Sequence, residues 1–131
     1  MPRQLTRTIR SLVVLMVVLL APITGHGKER VALVIGNNAY PGKAELDNPV
    51  ADATAMTAAL ERLGFRVIGG NDVTRVRLEG LIRDFAKALP GAEIALFFYA
   101  GHGMQVGGKN YLLPIDAALQ VESDLDFETI N

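Results

Sequence analysis

The sequence is arranged around the stretch Glu93-Ile-Ala-Leu-Phe-Phe-Tyr-Ala-Gly-His-Gly103, in which seven apolar residues end at a glycine-flanked histidine. A short apolar run bounded by glycines is typical of a strand buried on both faces of a parallel sheet. Glycines allow a sharp turn, and an imidazole titrates near neutral pH. We therefore expect His102 at the carboxyl end of a central strand, where open α/β sheets bind ligands. A structural histidine that holds the turn is the alternative.

The rest of the chain alternates strands with helices. Apolar runs predict strands at Arg30–Gly36 and at Phe65–Ile68, the second closed by Gly69-Gly70. Asn48 is predicted to cap a helix that begins at Pro49 and ends before Gly64. A hairpin with a glycine turn is predicted over residues 104–113, and a loop with a helix start near its end over residues 114–131. The apolar stripes of the two predicted helices comprise Val50, Ala53, Met56, Leu60 and Leu63 and, after a start near Thr74, Leu78, Leu81, Ile82, Phe85 and Leu89.

This order of elements places particular residues at one edge of a sheet. Short β-α-β-α-β connections predict a parallel sheet with right-handed crossovers. The loop of residues 36–48 and the loop of residues 101–103 then open on the same edge, with Asp52 in the first turn of the first helix beside them. We expect the His102 ring to be exposed to a groove that it shares with the start of this helix. For Asp52, a carboxylate that only complements the helix dipole is the alternative.

Residues 1–25 have the pattern of a secretory signal peptide. Arg3, Arg7 and Arg10 precede ten apolar residues, Leu12 to Ala21, and small residues follow. The run is shorter than the ~20 residues of a spanning helix, so we expect export to the periplasm or medium, with an uncleaved amino-terminal anchor as the alternative. The 131 residues suffice for one domain and contain no cysteine, which excludes a disulfide and a thiol nucleophile within this sequence.

The charge distribution argues against nucleic acid as a partner. Without residues 1–25 the formal net charge falls from −1 to −4, and no basic residue follows Lys109. The sequence contains neither a dinucleotide fingerprint nor a phosphate loop, and its two histidines do not form a metal-site pattern. We expect no metal and no cofactor. Calcium ligation by the acids between Asp116 and Glu128 stays open, but the EF-hand loop pattern is missing and we favour solvated surface acids.

Four motifs occur in order along residues 30–131. They are V-A-L-V-I-G-N-N-A-Y at 31–40, L-D-N-P-V-A-D-A at 46–53 followed by L-x-x-L-G-F-x-V at 60–67, Y-A-G-H-G at 99–103, and Y-L-L-P-I-D at 111–116. Together they resemble the caspase-like cysteine peptidases, in the bacterial and metacaspase-like branch. The resemblance implies an α/β fold, a three-layer α/β/α sandwich with a mainly parallel sheet of the caspase-haemoglobinase type. Residues 28–131 would be the amino-terminal part of its catalytic domain, incomplete at the C-terminus.

The resemblance also implies roles for three residues in the cleavage of peptide bonds. His102 resembles the general base and acid that serves a cysteine thiol, and the Gly103 N–H resembles one donor of the oxyanion hole. Asp52 resembles an acid of the substrate pocket, which would favour peptides with arginine or lysine before the scissile bond. Caspases that bind acidic substrates have an arginine near the position of Asp47, so the acid here argues against aspartate specificity.

The sequence departs from the family pattern at several positions. Pro49 and Ala51 stand where metacaspases have a cysteine and an asparagine, and Ala100 stands where a serine is common. The family's nucleophilic cysteine lies on the next strand, which these 131 residues do not include. Two other hypotheses therefore remain: a non-catalytic caspase-like module that binds a protein partner, and an unrelated α/β hydrolase. The latter is disfavoured because the G-x-S-x-G elbow is missing.

Overall fold

The computed structural model of this protein describes residues 29–131. The leader predicted over residues 1–25 and its neighbour His26 lie outside the described residues. Within them the element order is β-α-β-α-β, then a hairpin and a short helix. The bounds are β1 Glu29–Gly36, α1 Pro49–Arg62, β2 Phe65–Asn71, α2 Arg75–Ala88, β3 Ala92–Ala100, β4 Gly103–Val106, β5 Lys109–Leu112 and α3 Leu125–Glu128.

The central sheet is parallel and has the strand order β2-β1-β3. β1 pairs with β2 from Arg30↔Phe65 to Gly36↔Asn71, and with β3 up to Gly36↔Ala100. All three strands therefore end at one edge, as the predicted topology requires. The loops after β1 and β3 open side by side there, and the Asn37 N–H donates to the Ala100 carbonyl across 2.9 Å.

The two long helices cover opposite faces of this sheet. On one face, β1 and β3 residues pack with Ala53 and Leu60 of α1, and on the other with Leu78 and Leu81 of α2. Alternate residues of β1 enter the two cores, so the strand is buried on both faces. The three-layer α/β/α prediction is confirmed. One part of the predicted stripe is wrong: Leu63 is 61% exposed, because the helix ends at Arg62 and Gly64 turns the chain away with φ +80°.

β2 continues through the glycines that were expected to close it. The strand runs to Asn71, and Gly69 and Gly70 pair with Val34 and Ile35 of β1. A Cβ on Gly69 would overlap the Val34 carbonyl oxygen, and one on Gly70 would come within 2.8 Å of Val73 Cγ1. Both glycines lie within the strand, where neighbouring groups come too close for a side chain. The sequence pattern alone does not distinguish such glycines from the glycines of a turn.

The amino-terminal ends of both long helices are held by residues distant in sequence. Asn48 does not cap α1 with its side chain, contrary to expectation; instead the Asn38 Oδ1 accepts the Val50 N–H across 2.8 Å. α2 starts beside Thr74, as predicted, and the Thr74 side chain caps it by accepting the Arg77 N–H. Asp116 Oδ1 also accepts the Arg75 N–H across 2.8 Å. Residues of the sheet-edge loops thus fix where each helix begins.

The predicted hairpin is present as β4 and β5, which pair antiparallel from Gly103↔Leu112 to Val106↔Lys109. Gly107 and Gly108 form its turn, both with positive φ. After it the chain passes Pro114, makes a short 3₁₀ turn at Glu122–Asp124 and the single turn of α3, and returns to form a bridge from Ile130 to Leu112. None of the helices within residues 29–131 is long and apolar enough to cross a membrane.

Candidate active site

His102 lies two residues beyond the end of β3, at the carboxyl edge of the sheet, as predicted. Gly101 is the residue that lets the chain turn there. A Cβ at this position would come within 2.7 Å of the Tyr40 hydroxyl and 2.8 Å of the Tyr99 hydroxyl. Only glycine fits between these two phenols, so the first glycine of the motif is required by packing.

The loop after β1 holds the backbone and the ring of His102. The Tyr40 hydroxyl accepts the His102 N–H across 2.9 Å. The two aromatic rings are in contact, with centroids 4.4 Å apart and planes tilted by 58°. This hydrogen bond and ring contact come from the same side chain, so Tyr40 sets both the position of the turn and the tilt of the imidazole.

The imidazole has a defined tautomer. Its Nε2 lies 2.6 Å from the Ala44 carbonyl oxygen, which can only accept, so Nε2 carries the proton in the neutral ring. Nδ1 then carries the lone pair, and none of the described side chains or backbone groups forms a hydrogen bond with it. The expected exposure of this ring is wrong: His102 is only 8% exposed, because the residues 37–48 loop closes over it through Tyr40 and Ala44. The ring is at the sheet edge but beneath a loop.

Two buried phenols form the floor of the site. The Tyr40 hydroxyl donates to the Leu113 carbonyl across 2.8 Å, and the Tyr99 hydroxyl lies 2.8 Å from the His102 carbonyl and 3.1 Å from the Tyr40 hydroxyl. Burial raises the pKa of both tyrosines above the ordinary value, most strongly for Tyr99. Both phenols are therefore neutral at physiological pH and keep the protons that they donate.

The two hydroxyls are expected to differ in their contribution to stability. Tyr40→Phe leaves the buried His102 N–H without an acceptor and should lower the free energy of unfolding by about 2 kcal/mol. Tyr99→Phe should cost only about 1 kcal/mol, because the His102 carbonyl still accepts the Leu113 N–H and the Leu113 carbonyl still accepts the Tyr40 proton. Urea unfolding followed by circular dichroism measures both variants, and a larger loss for Tyr99→Phe would contradict this account.

The Gly103 N–H is not used by the hairpin. Leu112, which lies opposite Gly103, exchanges both of its backbone hydrogen bonds with Ile130, at 2.7 Å and 3.1 Å. The flanking bond runs from the Leu113 N–H to the His102 carbonyl. Gly103 and Leu112 are therefore a non-hydrogen-bonded pair, in which the Gly103 N–H points away from β5. This amide directly follows the imidazole, and in the part of the chain that the structure describes no strand accepts its hydrogen bond, so it can donate to an oxygen atom.

Asp52 lies in the first turn of α1, exposed at the same edge of the sheet. Its N–H donates to the Asn48 carbonyl, and its carboxylate forms no ion pair with the side chains that the structure describes, which do not include that of Lys43. The helix turn that carries it is tied by Asn38 to the loop that covers His102. The edge brings Asp52 and the imidazole onto neighbouring segments, without a direct contact. No group of three or more potential metal-ligating side chains occurs among the described residues.

Several residues that build the site were not predicted to be functional from the sequence. Asn37 is fully buried, its Oδ1 accepts the Val73 N–H across 3.0 Å, and its Nδ2 lies 3.4 Å from the Leu113 carbonyl. The Asp72 carboxylate accepts hydrogen bonds from backbone amides of the loop, and the Ala44 carbonyl accepts one from the His102 ring. The sequence signal for Asn37 was its position as a polar residue directly after the apolar part of β1, residues 31–36. The Ala44 carbonyl had none, because a backbone oxygen leaves no mark on the sequence.

Comparison with known proteins places this geometry in a family. The sequence model of the family described as "Caspase domain" matches residues 29–131. The chain belongs to the caspase domain family. This confirms the resemblance of the four motifs to a caspase-like domain, while the bacterial and metacaspase-like branch stays a prediction.

Two curated proteins align with the chain over the same length. The human mucosa-associated lymphoid tissue lymphoma translocation protein 1 is 33% identical over 90 residues, which are 69% of this chain and 11% of that protein. Its mouse homolog matches with the same values. The chain thus spans only about a tenth of the length of these relatives.

Proposed function

We propose that this chain supplies the histidine half of a caspase-like cysteine endopeptidase. The observation that carries the proposal is the His102 ring at the carboxyl edge of the sheet, with Nε2 bonded to the Ala44 carbonyl and Nδ1 left as the base. Membership in the caspase domain family supports it. Because the 131 residues contain no cysteine, the thiol must come from polypeptide outside them, and the chain alone should not cleave peptides.

The imidazole would move one proton in two steps. Nδ1 takes the thiol proton, and the resulting thiolate attacks the scissile carbonyl carbon to form a covalent intermediate. The imidazolium then gives that proton to the leaving amine. Throughout, the Ala44 carbonyl accepts the Nε2–H bond, which holds the tautomer and stabilises the positive charge that forms on the ring. Burial of this bond under the residues 37–48 loop strengthens it.

The free Gly103 amide would bind the oxyanion of the tetrahedral intermediate. Its N–H points away from the hairpin, one residue beyond the base. One preorganised donor of this kind is typically worth about 3 kcal/mol in the transition state. The proposed reaction requires no cofactor. A requirement for calcium, bound by acids between Asp116 and Glu128, stays a prediction that a chelator titration of the active enzyme would check.

We infer that the substrates are peptides or proteins with arginine or lysine before the scissile bond. The support is the exposed Asp52 carboxylate at this edge of the sheet, which can pair with a cationic side chain of a substrate. The neighbouring Asp47 is also exposed and adds negative charge. We further propose that the protein is exported, with residues 1–25 as signal peptide or anchor.

The experiment is to read the gene past codon 131 and to express the continuous reading frame. A strand followed by a cysteine, and hydrolysis of arginyl or lysyl peptides in preference to aspartyl ones, supports the proposal. Asp52→Asn should raise KM for the cationic peptides by about tenfold, the equivalent of ~1.4 kcal/mol, with kcat less affected. Asp84→Asn, on the exposed face of α2, is the matched control and should change neither constant. Preference for aspartyl peptides would contradict the assignment of Asp52.

A non-catalytic protein-binding module is the second candidate. It is favoured by the outer edge of β3, which has no strand partner among the described residues. An apolar cavity of about 600 Å³ lies along this side, lined by residues that include Phe85, Phe97, Leu112 and Ile130. A strand from a partner protein could pair there. Another residue at the cysteine position in the continued reading frame would support this candidate and exclude the peptidase.

A further inference from the structure

Asp72 has an unusual backbone conformation for its residue type. Its φ is +49°, and no other non-glycine residue within residues 29–131 has a positive φ. Aspartate tolerates the left-handed region better than most residues, but glycine would be the unstrained choice. A side chain retained at such a position is expected to form contacts that glycine could not.

Those contacts are made to the loop that covers the imidazole. The Asp72 Oδ1 accepts the Asn38 N–H across 2.7 Å and the Ala39 N–H across 2.9 Å, while the Asp72 N–H donates to the Gly36 carbonyl. One carboxylate oxygen thus binds two successive amides at the start of the loop. Bonds of this kind, with an ionised acceptor, are shorter and stronger than neutral ones.

Asn38 is the residue on which the loop is organised. Its carbonyl accepts the Tyr40 N–H at 2.8 Å and the Leu46 N–H at 3.0 Å, and its side chain binds the Val50 N–H at the start of α1. Tyr40 and Ala44, which lie between these anchors, are the residues of this loop that contact the His102 ring. The position of the Ala44 carbonyl therefore depends on how Asn38 is held.

We propose that Asp72 is a positioning residue for His102. By binding the Asn38 and Ala39 amides it fixes the loop so that the Ala44 carbonyl meets Nε2–H, which leaves Nδ1 as the base. This proposal rests on the role of His102 under the proposed function, but the tautomer itself is a property of the present chain. It can be measured without any cysteine and independently of catalysis.

The test is the ¹⁵N spectrum of the imidazoles in the full 131-residue chain, with His102 assigned by a His102→Gln variant. In the unmodified protein the neutral ring should be almost entirely in the Nε2–H tautomer. Asp72→Gly keeps the left-handed backbone and removes the acceptor, so the Nδ1–H tautomer should increase several-fold. Asp72→Asn keeps an acceptor oxygen and should restore the original spectrum. Asp116→Ala removes another carboxylate that binds a backbone amide at this edge and should leave the tautomer unchanged.

An unchanged tautomer in a folded Asp72→Gly variant would overturn the proposal and leave Asp72 a purely structural role. If that variant does not fold, hydrogen exchange in the unmodified chain decides instead. One opening of the loop should expose the Asn38 amide, the Ala39 amide and the His102 Nε2–H together, with similar protection. Exchange of Nε2–H that is much faster than that of the two amides would show that the Ala44 bond opens independently, and would overturn the proposal. Loss of the peptidase hypothesis alone would change none of these spectra.

Discussion

Replacement of His102 by glutamine is expected to lower kcat/KM of the proposed peptidase, in which this chain is combined with a cysteine nucleophile, by about 10³-fold, with most of the loss in kcat. Glutamine can still donate an N–H to the Ala44 carbonyl and fill most of the space of the ring. It cannot take up a proton near neutral pH, so the thiol would lose its base and the leaving amine its acid. The measurement is steady-state hydrolysis of an arginyl peptide.

A second readout separates a lost base from a misfolded site. The rate of alkylation of the cysteine by iodoacetamide reports its thiolate fraction, which an adjacent imidazole increases. This rate should fall in His102→Gln at neutral pH and recover at alkaline pH, where the thiol ionises without help. Asp84→Asn serves again as the control and should retain both the alkylation and the hydrolysis rates. Hydrolysis at the original rate in His102→Gln would remove His102 from the mechanism.

Gly36→Ala is expected to cost about 3 kcal/mol of unfolding free energy. A Cβ at Gly36 would lie 2.6 Å from the Ala53 Cβ and 2.6 Å from the Pro49 carbonyl oxygen. Both are parts of α1 that cannot rotate away, so the helix start would have to move off β1. That movement would also disturb the loop of residues 37–48 that covers His102, because α1 begins directly after this loop.

The matched control is the same substitution at Gly80, inside α2. There the nearest atom to an added Cβ is Arg83 Nη2 at 4.0 Å, so the methyl group has space. Alanine is the better helix former, and Gly80→Ala should stabilise the protein by about 0.5–1 kcal/mol. Urea unfolding of the two variants should therefore move the midpoint in opposite directions. A Gly36→Ala midpoint equal to that of the unmodified protein would contradict the tight packing of α1 on β1.

The peptidase proposal depends on contacts between segments that are distant in the chain. His102 and the Ala44 carbonyl are 58 positions apart, and Asn38 and Asp72 are 34 apart. The motif Y-A-G-H-G alone places the histidine, but it does not specify a tautomer. The loop after β1 specifies the tautomer. Through Asn38 it also fixes the start of α1 and therefore the position of Asp52 in the first turn of that helix.

Local patterns in the amino-acid sequence were sufficient for the sheet, the two covering helices, the hairpin and the position of His102 at the carboxyl edge. They suffice because apolar periodicity and glycine or proline at element ends act over a few residues. The burial of the imidazole, the cap provided by Asn38 in place of Asn48, the continuation of β2 through Gly69 and Gly70, and the Ala44 and Asp72 contacts emerged only from the folded chain. Their common reason is that each depends on a backbone N–H, carbonyl or close approach between distant segments, and backbone groups are identical at nearly every residue.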